Sequence, residues 1–227
     1  MTPVPRTRLS PDARRAQLVE LGLQMLSTRS LDTLVVEDIA AAAGISRGLL
    51  FHYFPSKRDY REAVVRAAAA DFLDHVAPDP TLPLPERLRS AVAAFVDYVS
   101  ANRDTYVALV RGASGGDPRL RAVFDETRSE VVTRVVDHLT DLSGTEPPRR
   151  VRLAVRGWVA FAEEVVLDWL SEPRPDGDGG TAGGDGGTAG APRASGTGDA
   201  LDRDGVVELL DGALLALIAS AAASGQP

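Results

Sequence analysis

The sequence predicts an all-α protein, and three observations carry that reading. Apolar residues recur at helical spacing through most of the chain. No stretch sustains the alternation of a half-buried strand. Ser, Asp, Gly and Pro interrupt the apolar runs where helix caps belong. The 227 residues suffice for one large or two small domains with real cores. An apolar share of 44% beside 25% charged residues is ordinary for a globular chain and excludes wholesale disorder. The lack of cysteine removes disulfides, thiolate zinc sites and cysteine nucleophiles together.

Ser10-Pro11-Asp12 starts the first helix, with Ser10 as N-cap and Pro11 at the first helical position. Its apolar stripe, from Ala13 through Leu18, Val19 and Leu23 to Leu26, reaches about Thr28. Thr33 is a candidate cap for a short second helix carrying Val36, Ile39, Ala40 and Ala43, which Gly44 stops where a left-handed residue is wanted. Ser46 caps a third helix with Leu49, Leu50, Tyr53 and Phe54, closed by Pro55. Ser56 caps a fourth, running through the alanines at 67–70 to about Val76. Further helices are expected over 85–101, 104–113, 117–141, 148–171 and 201–223. Within the second of these, Tyr106–Val110 also reads as a short strand. Residues 172–200, mostly Gly, Ala, Asp, Thr and Pro, repeat DGGTAG at 178–183 and 185–190. They offer too little apolar surface to offset ordering entropy and read as a disordered insertion. The seven-residue period lacks the aliphatic position of calcium-binding nonapeptide repeats.

Charge is unevenly spread. Residues 1–66 hold ten basic and seven acidic groups, net +3, leaving net −10 for the rest of a chain whose total is −7. A basic end on an acidic body suggests an anion-binding head and a non-binding trunk. The longest small-or-apolar run, Gly212 to Ser224, falls short of the ~20 residues of a membrane span, so no membrane partner is expected. Pro3, Pro5, Arg6 and Arg8 lead into no apolar segment, which argues against a secretory signal and for a cytoplasmic protein.

Helix two, the turn at Gly44-Ile45 and helix three have helix-turn-helix spacing, in which a short turn sets two helices at a steep angle. The second helix of such a unit can enter a major groove while the first braces it. The string VEDIAAAAGISRGLLFHYFPSKRDY, residues 36–60, is more specific than that spacing. It resembles the DNA-binding domain of the TetR family of transcriptional regulators, and the match is close over 13–66. An apolar residue before Asp-Ile-Ala, a Gly-apolar-Ser turn, an aromatic-rich recognition helix and Phe-Pro-Ser-Lys opening helix four are all present. The resemblance implies a flexible basic arm at 1–9, a DNA-binding domain at 10–66 and an effector-binding and dimerisation domain at 67–227. It departs from the family at Leu34 and Val35, where a capping threonine is frequent, at Phe51, often tyrosine, and at Leu49, often polar.

The chemistry of the string fits DNA. Ser46 and the free amides behind it can hold a phosphate. Arg47 has the fork geometry for guanine O6 and N7. Gly48 lets the backbone approach the bases, and Leu49 can touch a thymine methyl. His52 and Tyr53 can donate to phosphate oxygens, and Lys57, the only lysine, supplies another phosphate contact. Arg6, Arg8, Arg14 and Arg15 can reach the backbone or a minor groove. Leu50 and Phe54 read as core.

In the trunk, helices 148–171 and 201–223 are apolar nearly all round, so both need cover on two sides. As in the family, pairing with a second subunit in a four-helix bundle provides it, and Val155, Val159, Val166, Trp169, Leu210, Leu214 and Leu217 are the expected dimer contacts. A central position in a monomeric bundle is the alternative. Phe95, Tyr98, Tyr106, Phe124, Arg128, Trp158 and Phe161, with Arg111, His138, Glu163 and Glu164 nearby, suit a pocket for a mid-sized, partly apolar ligand. The three histidines lack ligand-like spacing, and neither a metal nor a cofactor is expected.

These features lead to a homodimer that binds a pseudo-palindromic double-stranded operator, most simply as a repressor, and is released by a small molecule. Two other functions fit parts of the sequence. Gly112-Ala113-Ser114-Gly115-Gly116 matches a nucleophile elbow, with Asp125, Asp137 and His138 downstream in hydrolase order. That elbow requires a parallel sheet, which the sequence does not supply, so no enzyme activity is expected. The other is a DNA binder without ligand control.

Overall fold

The computed structural model describes residues 9–26, 35–114, 116–171 and 201–223. Those residues form nine helices: α1 (Pro11–Leu26), α2 (Val36–Ala42), α3 (Arg47–Tyr53), α4 (Lys57–His75), α5 (Leu84–Ala101), α6 (Arg103–Ser114), α7 (Pro118–Ser143), α8 (Arg149–Ser171) and α9 (Arg203–Ala223). No strand occurs among the described residues, and Tyr106–Val110 lies inside α6. The expected arm, except for Leu9, and the insertion at 172–200 lie outside the described residues, as does Thr33. Val35 occupies the N-cap of α2 and makes no side-chain cap.

Local signals set most boundaries. Ser46 Oγ accepts the Leu49 amide at 3.2 Å, Ser56 Oγ accepts that of Asp59 at 3.1 Å, and Asp117 Oδ1 accepts that of Arg119 at 3.0 Å. Gly44 ends α2 at φ 64°, where its amide reaches Ala41 and that of Ile45 reaches Ala40.

Two buried clusters organise the chain. In the first, Leu18, Leu26, Ile39, Leu50, Phe54, Tyr60 and Val64 of α1–α4 pack together with Leu120 and Val123 of α7. Tyr60 Oη donates to the Leu18 carbonyl at 2.7 Å, holding α4 against α1. Contact is close enough there that a Cβ on Gly22 would stand 2.5 Å from Val64 Cγ2 and 2.6 Å from Tyr60 Oη. In the second cluster, Val92, Val96 and Val99 of α5 meet Val155, Trp158, Val159, Val166 and Trp169 of α8 and Val206, Leu210 and Leu214 of α9.

Helix directions follow from the contacts. On α8 and α9, Arg150 meets Ala221, Trp158 Nε1 donates to the Leu210 carbonyl at 2.9 Å and Trp169 Nε1 to that of Leu201 at 2.8 Å, so the two run antiparallel. Arg203 forks onto Asp97, which lowers the Asp97 pKa, and Arg89 meets Asp211 at 3.5 Å; α9 is thus antiparallel to α5 too. Helices α4 and α7 pair with a near-constant separation of 57 to 61 residues, the mark of parallel helices. By length and apolar composition, α9 is the one described helix that could cross a membrane. In this fold it packs against α8 and α5.

The fold corrects one set of expected contacts. Val155, Val159, Val166, Trp169, Leu210 and Leu214 are buried within the chain, so they cannot form the surface of a dimer. Their helices use those side chains to pack on each other and on α5. Only Leu217 of the expected set is exposed. Leu153 and Phe161 of α8 and Leu209 and Leu215 of α9 are exposed with it. A Cβ on Gly157 or on Gly212 would meet nothing within 4 Å.

Candidate functional site

Helix α3 stands on the protein surface. Leu50 and, just after the helix, Phe54 are buried and anchor it, while Ser46, Arg47, Gly48, Leu49 and His52 are exposed and Tyr53 is half-buried. Lys57, the first residue of α4, is exposed beside this surface. The His52 and Tyr53 rings meet edge to face at 5.5 Å. A Cβ on Gly48 would touch only Ser46 Oγ, at 3.9 Å, so the helix is open on that side.

Arg47 is engaged rather than free. Its Nη1 lies 3.0 Å from Glu37 Oε1 of α2, and its guanidinium sits 5.4 Å from the centre of the Phe51 ring. Both partners are solvent-exposed, and such pairs contribute ~0–1 kcal/mol, so the guanidinium can leave at little cost. Glu37 was not singled out from the sequence. Arg15, expected near DNA, lies over the Phe54 ring at 4.9 Å, and Arg14 bonds Gln17.

Below this surface a cavity of about 120 Å³ opens between α4, α5, α6, α7 and α8. Six of the seven expected pocket residues line it: Phe95, Tyr98, Tyr106, Phe124, Arg128 and Trp158. Phe161 is the exception; it lies outside the cavity, exposed with Ala160 on the outward face of α8 between the inward-facing Val159 and Ala162. His138 and Glu163 line the cavity, whereas Glu164 is exposed. Sequence reasoning missed the contribution of α4, whose Val65, Ala69 and Phe72, with Val76 just past its end, form one wall. Phe72 meets Phe95, Tyr98 and Tyr106 at ring separations of 6.1, 5.4 and 6.2 Å.

Polar groups are few in this apolar enclosure. Arg128 Nε lies 3.1 Å from Glu163 Oε1, and its guanidinium also sits 5.6 Å from the centre of the Phe124 ring. Burial pushes the Glu163 carboxyl up to about 7, against the pull of Arg128. Burial raises the Tyr106 and Tyr98 hydroxyls as well, and Tyr98 Oη donates to Asp71 at 2.9 Å.

A ladder of ion pairs joins α4 to α7 from the start of α4 down to the level of the cavity. Arg58 forks onto Asp117 at 2.9 and 3.1 Å, Arg119 reaches Asp59 at 2.7 Å, and Arg66 reaches Glu126 at 2.9 Å. Arg58 lowers the Asp117 carboxyl, and Ser56 and Arg119 lower that of Asp59. The hydrolase-like string has no comparable setting. Ser114 ends helix α6, whereas the elbow turns out of a strand.

Known proteins share this architecture. Residues 18–64 match the family described as "Bacterial regulatory proteins, tetR family", and residues 84–180 match "Tetracyclin repressor-like, C-terminal domain". The chain is similar to the transcriptional activator FasR of Mycolicibacterium smegmatis, with 28% identity over 170 residues, 74% of this chain and 77% of that protein. It is 43% identical to the repressor KstR2 of the same species over 70 residues, 31% of this chain and 32% of KstR2. A crystal structure of a tetR-family transcriptional regulator from Streptomyces coelicolor superimposes with a TM-score of 0.72 at 30% identity, covering 95% of this chain and 85% of that one. A helix-turn-helix head carried on a helical trunk, matched in both parts, places the chain in the TetR family of transcriptional regulators.

Proposed function

We propose that the protein is a ligand-responsive regulator, binding a pseudo-palindromic operator as a homodimer and releasing it when a small molecule fills the cavity. Residues 10–66 form the DNA-binding domain, with 1–9 as a basic arm, and residues 67–227 form the effector-binding and dimerisation domain. Ser46, Arg47, Gly48, Leu49, His52, Tyr53 and Lys57 meet DNA. One observation carries the reading: α4 begins at Lys57 beside α3 and lines the cavity with Val65, Ala69 and Phe72. A guest pressing on that wall displaces the helix that also carries the head.

Two heads must meet major grooves one helical turn or a multiple apart, ~34–36 Å per turn, so a few ångströms of spreading spoils docking. The second copy joins through the outward faces of α8 and α9, where Leu153, Phe161, Leu209, Leu215 and Leu217 are exposed. Gly157 and Gly212 leave room there for a close helix approach. Release by ligand makes repression the simplest outcome, in keeping with KstR2, which is named a repressor; FasR is named an activator. The protein would work in the cytoplasm, where its DNA is.

Linkage gives the test. A cavity-binding molecule that weakens operator binding must itself bind the operator complex less tightly by the same factor, a coupling of ~1–3 kcal/mol per site. Ligand titrations of the free dimer and of the dimer on operator should differ accordingly. Equal affinities would remove ligand control and leave a constitutive DNA binder.

A further inference from the structure

We propose that the effector is an amphiphilic monoanion, an apolar body ending in a carboxylate, whose head takes Arg128 from Glu163. The inference rests on the cavity being the effector site.

Two cationic side chains and one carboxylate, Arg128, Arg134 and Glu163, reach the cavity wall. Arg134 is committed elsewhere, to the Leu73 carbonyl and to Glu130. Arg128 faces Glu163 and the Phe124 ring, both in the wall, so its guanidinium is the cation a guest can reach by exchange. Of the two members of that pair, only the carboxylate can be discharged. An arginine keeps its proton at any physiological pH, whereas Glu163 is held at about 7 by burial. A cationic guest would have to displace Arg128 and leave a permanent charge without its partner in an apolar enclosure. An anionic guest displaces Glu163, which takes a proton from solvent and becomes neutral. A neutral guest gains the apolar contacts and no charge partner.

The titratable and charged groups around Glu163 are Tyr106 from α6, Tyr98 from α5 and Arg128, Arg134 and His138 from α7; α4 lines the cavity with apolar side chains, and its Asp71 accepts from Tyr98 Oη. Both tyrosines have their pKa values raised by burial and stay neutral through this range. The rest of the wall is apolar and aromatic, which suits an alkyl or ring body over a sugar or nucleotide.

Calorimetry and Trp158 fluorescence on the intact protein at pH 8, with octanoate, octanol and octylammonium as probes, test this. Octanoate should bind at least tenfold more tightly than either of the others. It should draw close to one proton from buffer per site, read from titrations in buffers of different ionisation enthalpy. Arg128→Gln should bring octanoate down to octanol and leave octanol itself within about twofold. Glu163→Gln should bind octanoate without proton uptake. If all three probes bind with similar affinity, or octylammonium binds best, the anionic head is wrong while the cavity remains a binding site. If none of the three perturbs Trp158 or gives heat, the cavity is not the effector site, and both readings fall.

Discussion

Arg47 pairs with Glu37 within the chain, and on the proposed function it exchanges that partner for a guanine edge in DNA. Its exchange from the exposed Glu37 pair to bidentate base contacts is favourable because the first is worth little and the second ~1–3 kcal/mol. Arg47→Ala should therefore cost that amount per half-site and relax preference at one base position. Lys57→Ala should weaken all sequences alike and flatten the salt slope by about one per subunit. Glu37→Ala should tighten binding, because it removes both a competitor and a negative charge near phosphates; operator anisotropy titrations read all three. The place of Arg47 after a capping serine was legible, but Glu37 as its partner depends on the angle between two helices and was not. The same holds for Gly22, which no local pattern singles out. Its Cβ would collide with Val64 and Tyr60, so Gly22→Ala should destabilise the fold by ~1–3 kcal/mol in urea denaturation despite its higher helix propensity. Glu163 has a raised pKa, so the folded state binds its proton more tightly than the unfolded one. That stability is fully present at acidic pH, below the unfolded value of 4.5, and is lost as pH rises through about 7. Thermal melts from pH 5 to pH 8 should fall more for wild type than for Glu163→Gln.

Helices α4 and α7 are tied in parallel by Arg58–Asp117, Asp59–Arg119 and Arg66–Glu126, from the start of α4 to the level of the cavity. Each exposed pair adds little stability, but in the proposed switch they together set where α4 lies when α7 shifts around a guest. The double variant Asp117→Asn with Arg119→Ala should keep ligand-free operator affinity within about twofold while reducing the ratio between ligand-bound and ligand-free affinities. An unchanged ratio would assign the coupling to the apolar wall alone. All nine helices were legible because their signals are local: Ser10, Ser46 and Ser56 at starts and Gly44 at an end. The facing of α8 was not. A helix apolar all round gives no phase, so Val155 and Val159 could not be told from Leu153, nor Phe161 from Trp158, until α5 and α9 were in place.

On the proposed function a dimer joins these parts into one device. Gly157 lies on the outward face of α8, where a Cβ meets nothing inside the chain. Gly157→Trp should therefore leave helicity and single-chain packing intact while raising the dimer dissociation constant at least 100-fold, ~3 kcal/mol. Sedimentation would read the loss, and operator binding should fall with it. On the proposed function the dimer presents two α3 surfaces to one duplex, with Arg47 reading a base in each half. Selection of bound fragments from a pool of random duplexes, run in parallel with wild type and Arg47→Ala, measures both at once. Wild type should enrich an inverted repeat whose half-site centres lie one turn or a multiple apart, with a guanine at a fixed place in each half, and Arg47→Ala should retain the repeat but lose that guanine. Enrichment of an unpaired site, of no sequence at all, or of the same motif by both proteins would contradict it.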